Sequence, residues 1–107
     1  MARKKLDTLT EPMYYVLLAL TEERHGYGIM QFTDQLTRSQ VNLGAGTLYA
    51  LLARFEKEGL IHSTREQENR KYYELTDTGR QVLADEFARL HRQVLDGARI
   101  LRKERGI

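Results

Sequence analysis

The side chains that most often do chemistry are sparse and poorly spaced in this chain. It has three histidines, His25, His62 and His91, and no cysteine. None has a second histidine or a cysteine three or four residues away, the spacing that sets two metal ligands on one helical face. Each reads as a surface or structural residue. Ser39 and Ser63 have no neighbouring base in sequence, so neither is prepared as a nucleophile. The glycine pairs Gly26-Tyr27-Gly28 and Gly44-Ala45-Gly46 follow no strand and lack the Lys-Ser/Thr that completes a phosphate loop. Acidic pairs such as Glu22-Glu23 and Asp85-Glu86 read as solvated helix positions. The residues provide no catalytic constellation, no metal spacing and no cofactor motif, and an enzyme is the class they support least.

A different chemistry resides in the stretch Gly44–Ile61, GAGTLYALLARFEKEGLI. Thr47 is a helix-start signal, Leu48, Leu51, Leu52 and Phe55 recur at helical spacing, and Gly59 breaks the pattern. On a helical wheel the four large apolar residues fall within about a third of the circumference. The opposite face carries Gly46, Ala50, Ala53 and Lys57, flanked by Tyr49 and Arg54. Small residues lie at its middle, with hydrogen-bonding or basic groups at its edges. Something large and anionic can approach such a face closely, as a DNA major groove approaches a helix that reads base edges. The same pattern fits a core helix with an Ala-rich solvent side, since Ala is a good helix former. The neighbouring elements must decide.

Before this stretch, Thr10 is a good N-cap, with Glu11 and Pro12 in the first turn that follows. The apolar run MYYVLLAL predicts a helix to about Glu23 that is apolar nearly all round. Such a helix needs cover on two sides. Arg24 to Gly28 reads as a turn, with Gly26 ending the first helix. A second helix is predicted over 27–37, with Ile29, Met30, Phe32 and Leu36 facing the core, and a loop over 39–46. After Gly59 the period changes. Leu60–Arg65 and Lys71–Leu75 read as the strands of a β-hairpin, with a polar turn at 66–70 and Arg65, Arg70 and Lys71 around its tip. Tyr73 and Leu75 are expected in the core.

From its N-cap at Thr76 a last long helix carries Leu83, Phe87, Leu90, Val94, Ala98 and Leu101 in one narrow stripe, with Gly97 at its edge. The stripe has the width of a coiled-coil seam and reads as a dimer contact, or as packing onto the chain's own domain. The fold class is therefore mainly α with a small β-hairpin: a winged helix-turn-helix over 1–76 and a C-terminal dimerisation helix over 77–107.

The 107 residues bound one domain of ordinary globular composition, 41% hydrophobic and 30% charged. Its core is modest, so a partner subunit would help. A net charge of +2 permits nucleic-acid binding without demanding it. The basic N-terminus, Arg3-Lys4-Lys5, is expected to be frayed. No apolar run is long enough to span a bilayer, no signal-peptide core follows the N-terminus, and a cytoplasmic location is expected.

In order along the chain, LTEPMYYVLLAL, HGYGI, GTLYALLARFEKEGLI and RKYYELTDTGR resemble the PadR family of bacterial transcriptional regulators, in the branch with a single C-terminal helix. The resemblance implies a homodimeric repressor binding an inverted-repeat operator in double-stranded DNA. It puts Gly46, Thr47 and Tyr49 at the DNA-facing start of the recognition helix, with Ala50 where the family commonly has Pro. It puts Tyr27 near the phosphate backbone, and Arg70 and Lys71 on the wing. Tyr49 against the wing, Tyr27 in packing, and idle charge at Arg70 and Lys71 are the alternatives. With Arg54, these are the DNA-binding candidates. Tyr15 and the stripe residues are the dimer-interface candidates. Some family members bind flat aromatic drugs between paired tryptophans, which this chain lacks. A small aromatic effector between the first and last helices, near Tyr14, Tyr15 and Phe87, remains compatible with the regulator, although core packing is the role these aromatics fit better. The competing reading is a winged-helix module that binds protein and no specific DNA.

Overall fold

The computed structural model describes residues 8–105. The basic Arg3-Lys4-Lys5 lies outside them. The elements run α1 (Glu11–Ala19), β1 (Arg24–His25), α2 (Gly26–Thr37), α3 (Ala45–Lys57), β2 (Ile61–Gln67), β3 (Arg70–Leu75) and α4 (Asp77–Arg105). One antiparallel sheet has the order β1-β3-β2. Three helices, a hairpin and a long terminal helix follow in the expected order.

α1 starts as its sequence dictates, with the Met13 amide donating to Thr10 Oγ1 at 3.4 Å and Pro12 in the first turn, where its missing N–H costs nothing. It ends at Ala19 rather than Glu23. The Leu20 carbonyl accepts instead from the Leu75 amide at 3.0 Å, and the chain turns out to pair Arg24 with Tyr73 and His25 with Tyr72. The expected turn is thus a third strand, because long-range pairing overrides the helix propensity of Thr21-Glu22-Glu23. Gly26 does not end α1 but begins α2, whose N-cap is His25.

The core gathers Val16 and Leu17 of α1 and Leu20 just after it, Ile29 of α2, Leu48, Leu52 and Phe55 of α3, Ile61, Tyr73 and Leu75 of the hairpin, and Val82 and Leu83 of α4. Each fully buried side chain of this size contributes about 1.5–3 kcal/mol through the hydrophobic effect. On α2, Ile29 is buried and Met30 and Phe32 pack against the core as expected, and Leu36 departs. Thr33 is buried while Leu36, in the last turn of a helix that ends at Thr37, is 53% exposed.

In the hairpin, Gln67 pairs with Arg70, leaving Glu68 and Asn69 as a two-residue loop with φ of 54° and 64°. Positive φ at both positions is the twist a tight hairpin requires. A bulge lies between Ser63 and Arg65. There Thr64 donates its hydroxyl proton to Glu23, and Arg65 pairs with the same carboxylate at 3.1 Å. These contacts, the Thr64 hydrogen bond foremost, hold the Glu23 carboxyl below the usual carboxylate range. Glu23 therefore ties the wing to the α1–β1 connection, a role its reading as a solvated acid did not foresee.

α4 begins with the Gly79 amide donating to Thr76 Oγ1 at 3.0 Å. At 29 residues it is about 44 Å long. Its first three turns pack on the domain, and Leu83 belongs to the chain's own core rather than to an outward seam. Glu86 is 4% exposed. It accepts from the Leu9 amide at 3.4 Å and from Arg89 Nε at 3.0 Å, so it is not the solvated acid the sequence suggests. Farther along α4, Phe87, Val94, Leu95, Ile100 and Leu101 are all exposed.

Candidate nucleic-acid interface

α3 presents two opposite faces. Leu48, Leu52 and Phe55 are buried, Leu51 is half-buried, and Gly46, Thr47, Tyr49, Ala50, Ala53 and Lys57 are exposed. The helix starts at Ala45, two residues before Thr47, and its N-cap Gly44 supplies no side-chain hydrogen bond. Thr47 is therefore a first-turn residue, not the cap. Cβ atoms added to Gly44 or Gly46 would meet nothing within 4 Å, so the first turn is open to a large partner. Arg54 is half-buried, and its Nε lies 3.3 Å from Glu58 Oε2. Its charge is already partly compensated, unlike that of Lys57.

Tyr49 leans away from the helix toward α2. A Cβ on Gly26 would stand 2.4 Å from the Tyr49 hydroxyl and 2.8 Å from Cζ. The ring thus lies on the bare backbone of Gly26, yet Tyr49 keeps 54% of its surface exposed. This is neither burial against the wing nor free projection. Beside it opens a cleft of about 360 Å³ lined by His25, Tyr27, Tyr49, Glu66, Asn69, Arg70 and Lys71, among others. The fold thus gathers four expected residues, Tyr27, Tyr49, Arg70 and Lys71, around one hollow. Gly46, Thr47, Ala50 and Arg54 do not line it.

Sequence reading missed His25. Its Nδ1 accepts from the Gly28 amide at 3.0 Å, which caps α2. Its ring meets Tyr72 edge-on with centroids 5.0 Å apart, and its Nε2 lies 3.2 Å from Arg70 Nη1. Burial, then the charges of Arg70 and Arg65, hold its pKa below that of an ordinary histidine. The only sequence signal was a side chain able to cap, directly before a helix.

Among the described residues, no group of three or more histidines or acids is placed to hold a metal, and no helix is long and apolar enough to cross a membrane.

Three helices, with the third exposing a face of small residues beside a β-hairpin, define a winged helix-turn-helix. Residues 16–85 match the Transcriptional regulator PadR-like family, and the chain belongs to that family, whose members are transcriptional regulators rather than enzymes. In structure it is similar to a PadR-like transcriptional regulator of Bacillus cereus, at 26% identity over 85% of this chain and 91% of that one, with a TM-score of 0.71. A PadR family regulator of Eggerthella lenta is 31% identical over 84% of this chain and 80% of its own, with a TM-score of 0.70. Bacillus subtilis PadR in complex with operator DNA is 27% identical over 71% of this chain and 46% of that one, with a TM-score of 0.62. The chain spans 25% and 66% of the lengths of two curated relatives that it matches at 36% and 32% identity.

Proposed function

We propose that the protein is a sequence-specific DNA-binding regulator that acts as a homodimeric repressor on an inverted-repeat operator. The observation that carries this is the outer face of α3, with Gly46, Thr47, Ala50, Ala53 and Lys57 all exposed beside the cleft of Tyr27, Tyr49, Arg70 and Lys71. α3 enters the major groove, where small side chains allow close approach and polar ones meet base edges. The wing and Tyr27 lie along the backbone and fix the register. The similarity to the operator-bound Bacillus subtilis protein supports the same use of the fold.

The dimer brings two copies of α3 to half-sites about one helical turn apart. Tyr15, Phe87, Leu90, Val94, Ala98 and Leu101 form its interface. The support is the uncovered apolar surface of α4 beyond the domain. Leu95 and Ile100, outside the narrow stripe, are exposed as well, so the surface is wider than a two-helix seam. Tyr14, Leu18, Leu83 and Phe87 line an apolar hollow of about 310 Å³ between α1 and α4. It is of a size for a small aromatic effector, whose binding there would alter the packing of α4 and relieve repression.

Selecting bound fragments from genomic DNA, then titrating the recovered duplex, tests the reading. A specific site is expected, with affinity falling steeply as salt rises because neutralised phosphates release counterions. Lys71→Ala should weaken binding to every sequence alike. If no fragment is enriched over background, the protein-contact module becomes the better reading.

A further inference from the structure

Two hydrogen-bond donors face each other at the mouth of the wing cleft. The Gly28 amide can only donate, and it points at His25 Nδ1 over 3.0 Å. Nδ1 therefore carries no proton, and the neutral ring must carry it on Nε2. That nitrogen lies 3.2 Å from Arg70 Nη1, and a guanidinium also has donors only. The contact is therefore not a hydrogen bond between the two. It is a pair of N–H groups brought together. No carboxylate among the described residues is hydrogen-bonded to either side chain. Arg65, the other nearby cation, lies 3.8 Å from the centroid of the Tyr72 ring and pairs with Glu23. The hollow also takes in Lys71 and the exposed Tyr27 and Tyr49, with Glu66 the one acid in its wall.

We propose that His25 and Arg70 together clamp one backbone phosphate of the DNA duplex, His25 through its neutral Nε2–H and Arg70 through its guanidinium. This rests on the DNA-binding reading above and adds to it a contact residue on β1, outside both α3 and the wing. A phosphodiester is the matching partner, because its anionic oxygens are acceptors only and two donors can share one of them. The geometry also assigns the α2 cap a second purpose. By accepting from Gly28, Nδ1 turns the protonated nitrogen outward, so the folded domain presents its donor before DNA arrives. An acidic peptide could meet the same donors, and the experiment separates the two.

The probe is a fluorescent 30-base-pair duplex of arbitrary sequence, since a phosphate contact acts on all sequences, titrated by anisotropy at low salt. The key variant is His25→Asn. Its side-chain oxygen can still accept from the Gly28 amide, so α2 stays capped, but its shorter side chain cannot bring the amide N–H group to the place of Nε2. The expected result is a Kd raised about ten- to a hundred-fold, the usual worth of a hydrogen bond to a charged group, with an unchanged melting temperature. Arg70→Ala should also weaken binding and lower the salt slope by about one. The double variant should lose less than the product of the two single losses, because both donors serve one phosphate.

Histidine ¹⁵N spectra of the wild-type protein give a readout independent of any variant's folding. An unprotonated Nδ1 and protonated Nε2 are expected for His25, with the Nε2–H resonance shifting when duplex is added. Unchanged affinity in His25→Asn, or a proton found on Nδ1, overturns the clamp and leaves the DNA-binding reading standing. A wild-type protein that binds no duplex but binds a polyglutamate peptide overturns both.

Discussion

Gly79→Ala tests how tightly α4 is seated on the wing. A Cβ at residue 79 would stand 2.0 Å from the Leu60 carbonyl oxygen, 3.0 Å from its carbon and 3.2 Å from Leu75 Cδ2. Carbon and carbonyl oxygen meet at roughly 3.3 Å, so the junction must open by more than an ångström. The obstacle is backbone and cannot swing aside. The Leu60 carbonyl accepts from the Thr76 amide at 2.9 Å, and the Thr76 hydroxyl donates to the Gly59 carbonyl at 2.6 Å. Opening the junction loses both bonds, each worth about 1 kcal/mol, and overpacking costs about 1–3 kcal/mol more. Ala's better helix propensity returns at most about 1 kcal/mol. The net expectation is a loss of about 2–4 kcal/mol, read as a lower urea midpoint by circular dichroism at unchanged m-value. A neutral or stabilising Gly79→Ala would refute the close seating and, with it, the fixed relation between wing and terminal helix.

Gly26→Ala should behave differently, because the atoms in its way are the far end of the half-exposed Tyr49. The ring can swing out, so stability should change by less than about 1 kcal/mol while DNA affinity falls, and the affinity effect should vanish in a Tyr49→Ala background. Arg89 foremost, with the Leu9 amide, holds the folded Glu86 carboxyl below its ordinary pKa. Its stabilisation is therefore complete above the unfolded carboxylate pKa and is lost as pH falls through the folded one. Glu86→Gln should flatten the acid limb of a urea-midpoint profile below about pH 4.5 and cost about 1 kcal/mol at pH 7, the difference between charged and neutral hydrogen bonds. Sedimentation at low micromolar concentration should give twice the 12.5 kDa chain mass, and Leu90→Asp with Val94→Asp should reduce it to one; a wild-type monomer would leave the apolar surface of α4 unexplained.

What the sequence made legible follows from the range of the interactions involved. The 3.6-residue period of Leu48, Leu52 and Phe55 and the alternation of the hairpin are local, and α3, the wing and α4 follow from them. α1 ends early because Leu20 and His25 pair with β3, some fifty residues on, and no window of sequence contains that pairing. Glu86 looks solvated because its partner Leu9 is 77 residues away. Leu83 fits the outward stripe by spacing alone, but only the packing of the first turns of α4 shows that it faces inward. At the candidate interface, the helical wheel and the basic hairpin tip picked out Tyr49, Arg70 and Lys71, and the family resemblance added Tyr27. They could not reveal the cleft that gathers them, nor His25, whose significance depends on an amide three residues on and a guanidinium forty-five residues on.

The central claim is that the outer face of α3 enters the major groove, and Ala50 lies on that face, exposed. Ala50→Glu places a carboxylate where small size is required, away from the core, so the fold should be kept. Titrated against the duplex recovered from genomic selection, this variant should lose about a hundred-fold or more in specific affinity, since juxtaposed like charges cost several kcal/mol. An operator affinity equal to that of the wild type would take this helix out of the groove.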